Sequence, residues 1–153
     1  MLKISIITPS FNQAGYIGRT LESIHSQTGD FELEHIVVDG GSTDGTLDIL
    51  RGYGDRIRWI SEPDAGQSDA LNKALHMVTG EVIGWLNSDD LYEPGALQAI
   101  AEVFAREPQT QWAYGKVRII DERNRPIRRW IVLYRTMRMR RFSYAKLLAE
   151  NWV

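Results

Sequence analysis

Four times in succession, a short run of apolar and β-branched side chains is followed by a segment whose apolar residues recur every three or four positions. The first run spans 4–8 and is closed by Pro9; the second, 35–39, is halted by Gly40 and Gly41; the third and fourth span 57–60 and 82–86. Runs of this length that stay apolar on both parities suit strands covered on both faces. Between them, Ile17, Leu21 and Ile24 predict a helix over 16–27. Leu47, Ile49 and Leu50 predict a second, opened by the N-cap types Ser42, Thr43 and Asp44 and ending near Gly52 and Gly54. Leu71, Ala74, Leu75 and Val78 line a third that stops at Gly80. Leu97, Ile100, Ala101 and Phe104 fall at i, i+3, i+4 and i+7 of a fourth, with Pro94 in its first turn. Alternation of this kind builds βαβ units: an α/β fold with a mainly parallel sheet and helices on both faces. The 153 residues fit one such domain. After Pro108 the pattern changes, and the spacing predicts strands over 112–120 and 127–134, a turn at 121–126, and a short helix over 143–150.

Composition narrows the chemistry. The chain has no cysteine, which excludes disulfide scaffolds, thiol nucleophiles and Cys-based zinc sites and fits a reducing compartment. No apolar run approaches the roughly 18 residues of a membrane span, and the apolar start at Met1 is too short for a secretory leader. A soluble, cytoplasmic domain is expected. Charge is uneven: residues 1–115 carry 7 Lys/Arg against 17 Asp/Glu, a formal −10, whereas 116–153 carry 11 against 3, a formal +8. Phosphate repulsion by the acidic body argues against duplex DNA as a partner. The basic stretch is read either as a solvated surface or as a contact with an anionic substrate or membrane face.

Ligands of open α/β sheets bind at the carboxyl ends of the strands. Those ends here are Thr8, Pro9, Ser10, Phe11 and Asn12; Asp39 with the run to Asp44; Ser61, Glu62, Pro63 and Asp64; and Asn87, Ser88, Asp89 and Asp90. Adjacent carboxylates such as Asp89 and Asp90 repel unless a cation relieves them, and Mg²⁺ takes one or two carboxylates plus substrate phosphates; a capped turn leading into Pro94 is the plainer alternative. Asp39, followed by two glycines, either accepts N–H or ribose O–H donors from a ligand or belongs to a turn. The segment is no Walker A loop, since Lys is missing before Thr46, and no G-x-G-x-x-G is present. Lys73 either meets a phosphate or pairs with Asp69 at i, i+4. His25, His35 and His76 lie on different elements without metal spacing and are given structural or surface roles; Trp59 and Trp85 are assigned to the core. No G-x-S-x-G elbow supports a serine nucleophile.

These residues, taken in order, resemble glycosyltransferase family 2. The likeness is carried by Ser5 to Asn12, by Ile24 to Thr28, by Val37-Val38-Asp39-Gly40-Gly41-Ser42-Thr43-Asp44-Gly45-Thr46, by Ser61 to Gly66, by Asn72-Lys73-Ala74 and by Gly80 to Asp90. It covers roughly residues 3–122, with 123–153 read as a basic segment leading toward an acceptor-binding part. The resemblance implies a GT-A, Rossmann-like fold that binds a nucleoside-diphosphate sugar and transfers the sugar with inversion, aided by Mg²⁺ or Mn²⁺. It matches Thr8, Pro9, Ser10 and Asn12 to the loop lining the nucleotide, Asp39 to the carboxylate contacting the base (usually uracil, so UDP before GDP or dTDP), and Asp64 to the start of a second nucleotide loop. Asn87-Ser88-Asp89 stands at the D-x-D motif, with Asn in place of its first Asp; the metal therefore falls to Asp89 and Asp90, with Asn87, Ser88 and Asp90 near sugar and diphosphate.

The family's inverting base lies in a later acidic segment that Asp121, Glu122 and Glu150 do not match. The expectation is that the base falls beyond Val153, that the chain is truncated, and that it binds donor but transfers poorly alone. The implied acceptor is a carbohydrate or lipid-linked sugar, with peripheral association at the inner membrane face and homo-oligomers through Trp152 and strands near 112–134 as further expectations. Competing readings are a non-catalytic nucleotide-sugar-binding or partner-docking module, and a nucleotidyltransferase, which the absence of a Gly/Lys-rich phosphate loop near the first strand disfavours.

Overall fold

The computed structural model describes residues 1–139. The chain divides into two compact units, Met1–Ala113 and Tyr114–Val153. In the first, four strands, β1 (Leu2–Ser10), β2 (Phe31–Asp39), β3 (Arg58–Ser61) and β4 (Val82–Trp85), form one parallel sheet in the order β3-β2-β1-β4. Four helices connect or follow them: α1 (Ile17–His25), α2 (Thr46–Tyr53), α3 (Gln67–Leu75) and α4 (Ala96–Arg106).

The order explains which face each helix takes. The chain steps outward from β1 to β2 to β3, then returns across the sheet to place β4 on the other side of β1. Right-handed crossovers put the helices of opposite steps on opposite faces. Accordingly Ile4 and Ile6 of β1 pack with Ile24 of α1 and Leu97 and Ala101 of α4. Val37 of β2 packs with Ile17 and Leu21 of α1 and Leu50 of α2. Ile7, Ile36 and Val38, of the other parity, pack with Ala70 and Ala74 of α3. Helices thus cover both faces, and each fully buried Ile or Leu contributes about 1.5–3 kcal/mol. The direction reverses beside β1, so the crevice of a doubly wound sheet opens between the carboxyl ends of β1 and β4.

Pro9 does not end β1, which continues to Ser10. Its missing N–H falls on the side facing β4, where the ladder has already stopped at Ile7–Trp85, so no hydrogen bond is lost. α3 stops at Leu75, short of Gly80. The Thr79 backbone N–H and hydroxyl, at 2.8 and 2.9 Å, instead bond Glu34 and draw the chain toward β4. Gly80 is required: a Cβ there would stand 2.8 Å from both Lys3 O and Ser5 N.

In the second unit the predicted strands over 112–120 and 127–134 are overturned. One isolated bridge, Ile120–Pro126, closes the turn at 121–126, and α5 (Arg129–Met139) occupies most of the second run. A two-stranded pair without a covering layer is marginal in water, and a short apolar run is ambiguous between helix and strand. Arg128 takes φ 51° and its carbonyl receives the N–H groups of Ile131 and Val132 at 2.9 and 3.3 Å, starting the helix. Asp121 holds the turn, accepting from the Arg123 and Arg125 backbone N–H groups and from the Arg125 guanidinium. The helix predicted over 143–150 lies outside the described residues, as do Glu150 and Trp152. No helix among the described residues is long and apolar enough to cross a membrane.

Candidate functional site

Four loops leave the carboxyl ends of the strands, and hydrogen bonds between them make one rim. The β1 loop is fastened to the β2 loop by Asn12 N–H to Ser42 Oγ (2.7 Å), Gln13 N–H to Thr46 Oγ1 (2.9 Å) and Ala14 N–H to Asp44 Oδ2 (2.9 Å). Asn12 returns the contact, its Oδ1 accepting the Thr43 N–H at 2.9 Å from a left-handed backbone (φ 53°) that Asn tolerates. Asp44 is no N-cap: Gly45 takes that place, and the Asp44 carboxyl, held low by the Thr46 hydroxyl and the Ala14 N–H, is a clasp between loops.

Asp39 is fully buried at the end of β2. Its Oδ2 accepts from the N–H groups of Gly41 (3.0 Å) and Ser42 (2.8 Å) and from the Ser61 hydroxyl (2.7 Å); its Oδ1 accepts the Ser42 hydroxyl (2.5 Å). Four donors balance the buried charge, and through Ser61 they bind the β2 and β3 ends together. Asp64 is half-buried; its Oδ1 accepts the Gly66 N–H at 2.8 Å.

At the end of β4, the Asn87 amide oxygen accepts the Trp85 indole N–H (2.9 Å) and the Gln67 amide (2.7 Å), and its nitrogen donates to Asp90 Oδ2 (3.1 Å). Ser88 is buried, its carbonyl taking the Thr20 hydroxyl at 2.8 Å. Asp89 is exposed and accepts no hydrogen bond from the described residues; Asp90 beside it keeps Oδ1 without a donor. Trp85 is not core, as expected above, but 54% exposed, because β4 is an edge strand and its indole serves Asn87. Trp59 is half-buried against α2.

Thr8 lies at the rim, yet its hydroxyl points inward to His35 Nε2 at 3.1 Å. His35 in turn meets His25 at 3.1 Å, a pairing between β2 and α1 that sequence separation concealed. Burial, reinforced by the neighbouring His25, depresses His35 to about 3, so it is neutral near pH 7. Lys73 pairs with Glu62 (2.9 Å) and Asp69 (3.4 Å). Ser10 Oγ, in a residue only 5% exposed, is the one buried side-chain polar atom without a partner among the described residues, and such orphans call for an explanation.

A parallel sheet wound in this order, with cross-bonded polar loops and an acidic pair at the reversal of strand order, is an α/β domain with the ligand crevice of a doubly wound sheet. The family model of glycosyl transferase family 2 matches residues 5–151, and the chain belongs to that family. A PGL/p-HBAD biosynthesis glycosyltransferase of Mycobacterium bovis is 40% identical over 119 residues, covering 74% of this chain and 46% of that one. Residues 1–349 of S. aureus TarS, in complex with UDP-GlcNAc, share the fold at TM-score 0.65 and 24% identity, over 78% of this chain and 40% of that one. The mannosyltransferase PcManGT of Pyrobaculum calidifontis, in complex with GDP-Man and Mn²⁺, aligns at TM-score 0.61 and 26% identity, over 85% of this chain and 38% of that one. An uncharacterized glycosyltransferase of Nostoc sp. is 37% identical over 107 residues, 67% of this chain; the chain spans less than half the length of these two curated relatives, 33% of the Nostoc and 46% of the M. bovis protein.

Proposed function

We propose that the chain is the donor-binding part of a glycosyltransferase that takes its sugar from a nucleoside diphosphate, a uridine one before a guanosine or thymidine one, and passes it with inversion to a carbohydrate or lipid-linked acceptor. The observation that carries the reading is the exposed Asp89 carboxylate, without a donor, at the point where strand order reverses. Residues 1–122 serve as the nucleotide-sugar core and 123–153 lead toward the acceptor side. The PcManGT complex with GDP-Man and Mn²⁺ supports a divalent cation as cofactor.

Asp89, with the remaining oxygen of Asp90, fits Mg²⁺ or Mn²⁺: hard oxygen ligands, few from the protein, the rest from diphosphate and water. Asn87 is not one of them, its amide being committed to Trp85, Gln67 and Asp90. A cation so held supplies charge stabilisation for the diphosphate leaving group. The chain's own residues do the rest. Asn12 and Asp39 fix the two loops assigned to the nucleotide, and Thr8, Pro9 and Ser10 belong to the first of them at the end of β1. Asp121 is committed to its own turn by the Arg123 and Arg125 donors, and no described residue is assigned the role of base.

Calorimetry with UDP and GDP, with and without Mn²⁺, tests the reading. The expected result is Mn²⁺-dependent binding that Asp89→Ala weakens at least about tenfold, the cost of one charged ligand, with an unchanged melting temperature. Equal binding by wild type and Asp89→Ala contradicts it. Turnover on adding acceptor separates an enzyme from a binding module.

A further inference from the structure

We propose that Thr20 and Ser23 of α1, with Gln27 just past its end, are positioning residues for the cation: they hold the loop that carries Asp89 and Asp90 without being ligands themselves. The donor-binding reading above is the premise. Gln27 thereby gains a task that the family likeness of Ile24 to Thr28 left unassigned.

The loop runs from the end of β4 at Trp85 to the start of α4 at Ala96 and forms neither helix nor strand, so its backbone polar groups need partners from elsewhere. α1 supplies them. Thr20, fully buried, donates its hydroxyl to the Ser88 carbonyl at 2.8 Å and so fixes the peptide unit that leads into Asp89. Ser23 Oγ accepts the Tyr92 N–H at 3.1 Å while donating to the Thr20 carbonyl at 2.8 Å. The Gln27 amide works at both ends. Its nitrogen donates to the carbonyls of Glu93 and Ser23, each at 3.0 Å, and its oxygen accepts the Leu97 N–H at 3.3 Å. Leu97 lies in the first turn of α4, where the N-cap residue Gly95 has no side chain to bond a free N–H, so Gln27 caps α4 from outside.

Positions 20, 23 and 27 stand at i, i+3 and i+7, so one side of α1 meets the loop, while Ile17, Leu21 and Ile24 fill the core. The anchors bracket the acidic pair, with Ser88 before it and Tyr92 and Glu93 after it. Asp89 is exposed and its carboxylate receives no hydrogen bond from the described residues, so its place is set by the backbone on either side. Leu86 and Leu97, at the two ends of the loop, are buried, and Tyr92 packs on the same cluster; loss of one hydrogen bond therefore loosens the loop and leaves the domain folded. A cation with few protein ligands feels that loosening directly, because its apparent affinity falls with the fraction of time the carboxylate is in place.

Mn²⁺ affinity in the presence of UDP, read on the full chain from the paramagnetic resonance of free manganese, decides it, with melting temperature measured alongside. The variants are Thr20→Val, Thr20→Ser and Gln27→Met, with Thr79→Val as the control, which loses a hydroxyl bond to Glu34 at the opposite end of β4. Thr20→Val and Gln27→Met are expected to weaken Mn²⁺ binding about three- to tenfold, the worth of one neutral hydrogen bond. Thr20→Ser, which keeps the hydroxyl, is expected to restore it. Thr79→Val is expected to lower the melting temperature and leave Mn²⁺ affinity unchanged. Wild-type affinity in both Thr20→Val and Gln27→Met overturns the assignment and leaves the donor-binding reading intact; so does an equal loss in Thr79→Val, or a loss that Thr20→Ser does not restore. Failure of wild type to bind Mn²⁺ with UDP overturns both.

Discussion

Buried ionisable groups in this domain set its response to acid. His35 is held neutral by burial and by His25, at about 3 against an ordinary 6.5. Its folded value lies below its unfolded one, so protonation favours the unfolded chain, and stability is lost as pH falls from about 6.5 toward 3. Burial opposes the charge on Glu34, but bonds from Ser5, Thr79 and Arg58 outweigh it and hold the carboxyl at about 2 against 4.5. That contribution is complete above pH 4.5 and lost between about 4.5 and 2. Urea midpoints measured against pH are expected to decline first below 6.5 and more steeply below 4.5. His35→Gln flattens the upper limb; Glu34→Gln flattens the lower one and costs on the order of 1–3 kcal/mol at pH 7. An unchanged upper limb in His35→Gln contradicts the first assignment. The sequence made Asp39, Asp64 and Asp89 legible as rim residues, because carboxylates at strand ends stand out. It did not reveal that Asp39 is saturated, since one of its donors, Ser61, sits 22 positions away. Nor did it reveal the His25–His35 pair, which depends on how α1 docks against β2.

Among the elements, the four strands of the first unit were legible because burial on both faces leaves continuous apolar runs with no period to misread. Helix ends were less so: nothing local in α3 announces that Glu34 captures Thr79. The second unit misled for the opposite reason. Ile131, Val132 and Leu133 have strand-like composition, but among the described residues no strand pairs with them, and local hydrogen bonding wins. At the crossing of β1 and β4, Gly80→Ala is expected to destabilise by about 1–3 kcal/mol through backbone crowding, read as a lowered urea midpoint. Gly52→Ala, whose Cβ meets nothing within 4 Å, is the matched control and is expected not to destabilise. Equal midpoints for the two variants contradict the packing described.

For the molecule as a whole, the parallel order β3-β2-β1-β4 matters most, because it brings loops distant in sequence to one edge and leaves Asp89 uncovered at the reversal. A crystal of this chain soaked with Mn²⁺ and UDP, with anomalous data collected at the manganese edge, tests that claim most directly. The account predicts a manganese peak within coordination distance of Asp89, about 2.0–2.3 Å, with the nucleotide bound along the same rim. A nucleotide bound elsewhere, or a manganese ion that ignores Asp89, contradicts it.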